Sequence, residues 1–117
     1  MGEKKTYAVV RTRFTGEHRW ENAPEEVDFL RNNHRHEFHV EVKVEQFHDN
    51  RDVEYIMLKR KVDDIINEWP HDLDTTSCEM MCDDLYQALS AHIEGERAYV
   101  VKVFEDGENG AEVHYEP

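Results

Sequence analysis

The run His34-Arg35-His36-Glu37-Phe38-His39-Val40-Glu41-Val42-Lys43-Val44 constrains this chain more tightly than any other segment. Phe38, Val40, Val42 and Val44 alternate with His39, Glu41, Lys43 and Glu45. That period of two is the mark of a strand with one apolar and one polar face. His34 and His36 share the parity of the apolar set, so both imidazoles project from the side that turns into core. Residues two apart on a strand are separated by about 6.5–7 Å, close enough for two imidazoles to converge on one ion. With eight histidines in 117 residues, a His-x-His pair also arises readily by chance, and the pair alone fits an exposed strand end equally well. His18, shortly after the first apolar strand, supplies a third candidate. Three neutral nitrogen donors with an open position form the ligand set of a catalytic rather than a structural zinc.

The remaining periodicity predicts the order strand, strand, helix, helix, strand, strand. Tyr7 to Thr15 reads as a strand with Ala8, Val10 and Phe14 on one face and Arg11 and Arg13 on the other. Residues 16–33 read as a long, polar, irregular connection, the kind of loop that often carries function. The second strand spans about 34–47 and ends in the turn-rich His48-Asp49-Asn50-Arg51-Asp52. Leu58, Val62, Ile65, Ile66 and Trp69 recur at helical spacing over 53–68, and Pro70 closes that helix. A second helix over about 78–92 follows the N-cap candidates Asp74-Thr75-Thr76-Ser77, with Met81, Cys82, Leu85, Leu89 and His92 as its buried stripe. The Met80-Met81 pair reads as core filler. The last strands, about 97–105 and 111–116, flank Asp106-Gly107 and Asn109-Gly110, both hairpin signals. The whole implies one α+β domain over 1–117: a four-stranded antiparallel sheet with two helices on one face.

Composition narrows the function classes. A formal charge of −13 argues against nucleic acid or an anionic membrane as partner, since both call for a basic surface. A local group of Arg11, Arg13, Arg19, Arg31 and Arg35 is the one candidate for holding a phosphate. There is no apolar run of about 18 residues to cross a membrane. The N-terminus, Met1-Gly2-Glu3-Lys4-Lys5, lacks the apolar region of a signal peptide. Cys78 and Cys82, four apart in a helical segment, suit neither a disulfide framework nor a Cys-x-x-Cys redox motif, and a reducing cytoplasm is the simplest compartment.

Several of these features together resemble the 6-pyruvoyltetrahydropterin synthase and 6-carboxytetrahydropterin synthase family of the tunnelling fold. The resemblance rests on the ββααββ order and on Phe14-x-x-x-His18, His34-x-His36, Glu54-Tyr55-Ile56-Met57-Leu58-Lys59, Ser77-Cys78-Glu79 and the late Glu105. It implies zinc held by His18, His34 and His36, a sheet that closes into a barrel across subunits, and sites at the interfaces of a homo-oligomer. It implies a small-molecule substrate, a pterin or purine-like heterocycle, anchored by Glu105 and met by Ser77. A carboxylate suits that task because it accepts two parallel hydrogen bonds from adjacent amino and ring N–H groups. Glu105 is equally a member of a solvated acidic turn with Asp106 and Glu108.

The chain departs from the family at three places. Leu30 stands where the synthases carry a catalytic cysteine, four residues before the first histidine of the pair. Arg35 replaces the glycine between the two histidines, where it either crowds the metal or contacts a substrate phosphate. The family's Asp-His dyad resembles Pro70-His71, which leaves His71 as the candidate catalytic base without its acidic neighbour. The resemblance therefore implies a lyase-like zinc enzyme acting on a reduced pterin or dihydroneopterin triphosphate with altered chemistry. Its alternative is a non-catalytic pterin- or purine-binding module on the same fold.

Overall fold

A computed structural model describes residues 2–117; Met1, the first residue of the N-terminus read above as leaderless, lies outside the described residues. The elements are β1 (Thr6–His18), a 3₁₀ segment (Glu25–Arg31), β2 (His34–Gln46), α1 (Tyr55–Asn67), α2 (Cys78–Ser90), β3 (Tyr99–Glu105) and β4 (Asn109–Tyr115). The strands form one antiparallel sheet in the order β1-β2-β3-β4. The α+β order read from the sequence is the order observed.

Alternation turns each strand into a two-faced ribbon. Ala8, Val10, Phe38, Val40, Val42, Val44, Tyr99, Val101 and Val103 are buried on one face. Leu58, Val62 and Ile66 of α1 and Met81, Cys82, Leu85 and Leu89 of α2 meet them in a single core. α1 lies against β1, and α2 against β3 and β4. Each wholly buried Leu, Val or Phe side chain contributes about 1.5–3 kcal/mol of transfer free energy. The opposite sheet face is polar. There Arg11 Nε lies 2.8 Å from Glu41, and Lys102 Nζ lies 3.1 Å from Glu41 and 3.2 Å from Glu112.

Three expectations change. First, β1 does not stop at Thr15 but pairs with β2 as far as His18↔His34, so the connection begins at residue 19 and contains a 3₁₀ segment. Polar Thr15-Gly16-Glu17 masks this continuation in the sequence. Gly16 eases the close approach there, because a Cβ would come 3.1 Å from Leu73 Cδ1 and 3.4 Å from the His71 carbonyl oxygen, tight enough to push its neighbours by a few tenths of an ångström. The missing side chain lets the segment after α1 dock along β1, with Glu17 N–H donating to His71 O at 2.9 Å and Leu73 N–H to Glu17 O at 2.7 Å. Second, His92 is exposed, since α2 ends at Ser90 and the stripe gains Cys78 in its first turn. Third, Met81 is core but Met80 is 55% exposed. Of the two hairpin signals, Asp106-Gly107 makes the turn with φ of 55° and 73°, while Asn109-Gly110 opens β4.

At the far end of the sheet, buried Arg97 is held by the Glu94 and Glu45 carbonyls at 2.7 and 2.9 Å and by the Asp52 carboxylate at 2.8 Å. Its guanidinium also lies 4.1 Å from the Phe47 ring centroid. The Arg97 hydrogen bond, joined by the Phe47 backbone N–H, holds Asp52 below the usual carboxylate range. A carboxyl depressed on folding stabilises the native state above its unfolded pKa of about 3.9, and that contribution is lost as pH falls through the lower folded value. Asp52→Asn should therefore be less stable than the parent near neutral pH. In urea unfolding, the gap should hold down to about pH 5 and shrink as pH falls below about 4. A gap that is absent, or constant to the most acid pH, would contradict the pairing.

Candidate metal centre

The β1–β2 register assembles a histidine cluster at one end of the sheet. His18 stands directly across from His34, and Gly16 across from His36, so the two rings on β2 and the one on β1 share a face. Phe38 is next along β2, and its cross-strand partner on β3 is Glu105. The three imidazoles meet edge to face, with ring centroids 4.6, 4.9 and 5.6 Å apart, over the wholly buried Phe38. One ligand atom from each of His18, His34, His36 and Glu105 lies within 4.8 Å of all the others.

The second nitrogen of each ring is already engaged. His18 Nδ1 faces Thr76 O at 2.9 Å, His34 Nδ1 faces Asn32 O at 3.0 Å, and His36 Nδ1 faces Asp106 Oδ2 at 2.7 Å. The hydrogen bond from His36, with one from the Glu37 backbone N–H, holds the Asp106 carboxyl below the usual range and therefore ionised. Carbonyl and ionised carboxylate oxygens only accept, so Nδ1 donates in all three rings. In a neutral imidazole that leaves the lone pair on Nε2. His18 Nε2 is hydrogen-bonded to Glu105 Oε2 at 2.8 Å, and because the carboxylate only accepts, a proton bridges the two when no ion is bound. His36 Nε2 is 3.1 Å from the same oxygen but outside hydrogen-bonding direction, a buried polar atom with no partner. The unpartnered His36 Nε2 repels the carboxylate oxygen beside it, and a cation that replaces the proton between His18 and Glu105 makes ligands of the nitrogens and the oxygen together. The donor set thus fits a divalent ion with three nitrogens and one carboxylate oxygen.

Local sequence explains the delivery of each part. Docking of residues 71–74 along β1 carries the chain to Thr76, whose carbonyl orients His18. Ser77 caps α2, its Oγ accepting from Met80 N–H at 3.2 Å. Beside the cluster opens a cavity of about 550 Å³, walled by His18, Trp20, Leu30, His34, Ser77, Cys78 and Glu105 among others. That volume lies within the range of about 300–1,000 Å³ usual for small-molecule sites.

The structure gathers some of the residues singled out from sequence and leaves others apart. His18, His34, His36, Glu105 and Ser77 come together, with Leu30 in the cavity wall. Arg35 takes the opposite strand parity from its flanking histidines and is exposed. His71 is exposed in the connection after α1 and meets β1 through its carbonyl oxygen. The five arginines do not form a cluster: Arg11 and Arg13 face Glu41 and Glu37, Arg31 bonds the Ala23 carbonyl, and only Arg19 lines the cavity. Asp106 and the Thr76 and Asn32 carbonyls were not foreseen as partners of the histidines. For Asp106 the signal was its place beside Glu105 in the hairpin turn; a backbone carbonyl leaves none.

No protein-family model matches this chain, and no curated protein matches it. None of the helices among the described residues is long and apolar enough to cross a membrane.

Cys78 and Cys82 are both free and buried. Burial, with Glu105 adding to it at Cys78 and Asp83 at Cys82, pushes each thiol up to about 12. The thiolate is the reactive form, so neither side chain is a ready nucleophile near neutral pH. At about pH 8, both should resist a disulfide-exchange reagent in the folded protein and react promptly in denaturant. Rapid labelling of the native protein would contradict this placement.

Proposed function

We propose that the chain is a zinc-dependent, lyase-like enzyme acting on a reduced pterin or on dihydroneopterin triphosphate. The observation that carries the reading is the convergence of three imidazoles whose Nδ1 atoms are all committed elsewhere. His18, His34 and His36 would hold the zinc, which when bound supplies Lewis-acid polarisation of a substrate oxygen. The resemblance to the tunnelling-fold tetrahydropterin synthases supports the choice of metal and of heterocycle.

The chain's own residues divide the remaining work. Glu105 lines the cavity, and in this reading the zinc takes only the three imidazoles, which leaves its fourth position to the substrate and the Glu105 carboxylate free to accept paired N–H donors of a guanine-like ring. Ser77 meets the same substrate from the N-cap of α2, and Arg19 is the one cation at the rim. Leu30 cannot move a proton, so the parent synthase reaction should lose about 10²–10⁴-fold. That loss is why the chemistry is read as altered. His71, the candidate base that the resemblance implies, is exposed outside the cavity wall of its own chain and would act there only if a neighbouring copy delivered it. Strands β1 and β4, the two edges of the sheet, are where such copies would join. Arg35 faces away from the cluster, so a contact with the substrate phosphate would require substrate held by a second subunit. Neither nucleic acid nor membrane is a partner in this reading, and two unpaired thiols suit a cytoplasmic setting.

A second reading, a pterin- or purine-binding module without turnover, is favoured by one observation. The cavity wall presents Leu30 and a protonated Cys78 where acid–base groups would be needed.

Metal analysis of the purified protein beside His36→Ala, followed by assay with dihydroneopterin triphosphate, tests both. The enzyme reading expects about one zinc per chain, lost in the variant, and product formation by the parent. Tight binding of the pterin without consumption favours the module. No bound metal in the parent, even after zinc addition, contradicts the zinc site in either form.

A further inference from the structure

Two of the three groups that orient the histidines are backbone carbonyls, which no side-chain substitution removes. The third is a side chain, Asp106, and its placement is unusually well determined. Its backbone N–H donates to Glu37 O at 2.7 Å, and its Oδ1 accepts from Glu37 N–H at 3.0 Å. Its Oδ2 accepts from His36 Nδ1 at 2.7 Å. Asp106 thus grips two successive residues of β2 from the turn between β3 and β4. It can do so because it sits at φ 55°, the left-handed region that places its carboxylate back over the strand. Asp is among the few non-glycine residues that adopt this region readily.

We propose that Asp106 is a positioning residue for metal binding: it fixes the His36 ring with Nδ1 protonated and Nε2 aimed into the cluster. The inference rests on the metal-site reading given above. Without the carboxylate, the half-exposed end of β2 leaves His36 free to rotate about its side-chain bonds or to carry its proton on Nε2, and either change removes it as a ligand. His18 and His34 are held independently by the Thr76 and Asn32 carbonyls, so the defect should be confined to one ligand of the set. Carboxylates bound to a ligating histidine typically govern metal affinity by about 10–100-fold. The same tether makes the β3–β4 turn part of the site, because Asp106 is adjacent in sequence to Glu105, the carboxylate of the cluster. One dipeptide therefore supplies both an oxygen in the cluster and the group that aims one of its nitrogens.

The test uses Asp106→Gly, which removes the carboxylate without straining a positive φ, and Asp106→Asn, which keeps an oxygen acceptor and tolerates the same backbone. Zinc affinity is measured by competition with a chromophoric chelator, and the His36 Nδ1–H proton is followed by NMR on ¹⁵N-histidine-labelled, metal-free protein. The expected results are a zinc affinity about 10–100-fold weaker in Asp106→Gly and near the parent value in Asp106→Asn. The Nδ1–H resonance should be present in the parent, lost in the glycine variant and kept in the asparagine variant. Equal zinc affinity in Asp106→Gly and the parent overturns the inference while leaving the metal site standing. So does a parent spectrum without the Nδ1–H signal. A glycine variant that loses thermal stability but keeps its zinc affinity shows a merely structural turn and also overturns it. A parent that shows the resonance yet binds no zinc brings down the metal-site reading itself, a distinguishable failure that takes the inference with it.

Discussion

The register between β1 and β2 is the constraint on which the rest depends. It sets His18 opposite His34 and Gly16 opposite His36, while further along the same ladder it sets Phe14 opposite Phe38 and Val10 opposite Val42. A slip of one residue would turn every side chain of one strand to the other face, placing Arg13 and Arg11 in the core and His18 outside it. The apolar pairs forbid that slip. The ring stack of Phe14 on Phe38, with centroids 5.1 Å apart, and the edge contact of Trp69 on Phe14 at 5.6 Å pin the register within a few residues of the histidines. The chemistry at the end of the sheet is therefore specified by packing in its middle.

From that ladder the site is built outward in layers. Gly16 allows the chain after α1 to lie along β1, which brings the Thr76 carbonyl to His18 and leaves Ser77 at the head of α2. The β3–β4 hairpin brings Glu105 into the cluster because Glu105 pairs with Phe38. Acidic and basic side chains on the outer face satisfy one another, as Glu41 does with Arg11 and Lys102. The chain carries a formal charge of −13, a surface poorly suited to nucleic acid or an anionic membrane.

Much of this was legible in the residues. The alternation of Phe38 to Val44 fixed β2 and, through parity, the facing of His34 and His36. The helical stripes located α1 and α2 to within two residues at their ends. Arg35, read from the sequence as crowding the metal or contacting a phosphate there, instead turns away from the two histidines it separates, as the period of two requires. What was hidden has physical causes. The continuation of β1 through Thr15-Gly16-Glu17 carries no hydrophobic signal, because its pairing is made by backbone groups and its glycine serves a close approach. Residues 25–31 form a 3₁₀ segment in which no side chain is buried, so no periodicity announces it. His92 falls two residues past the end of α2. The orienting groups of His18 and His34 are carbonyls brought from distant or neighbouring backbone, and a carbonyl belongs to every residue alike. Glu105 was visible as a candidate only through a resemblance, and its closeness to His18 and His36 emerged from the sheet.

The central claim is that three imidazoles, aimed by their second nitrogens, form one metal centre. X-ray absorption at the zinc edge of the zinc-loaded protein tests it most directly. The account predicts three imidazole nitrogens at about 2.0–2.1 Å with the rest of the shell oxygen. A sulfur scatterer at about 2.3 Å, or a shell without histidine, would contradict it.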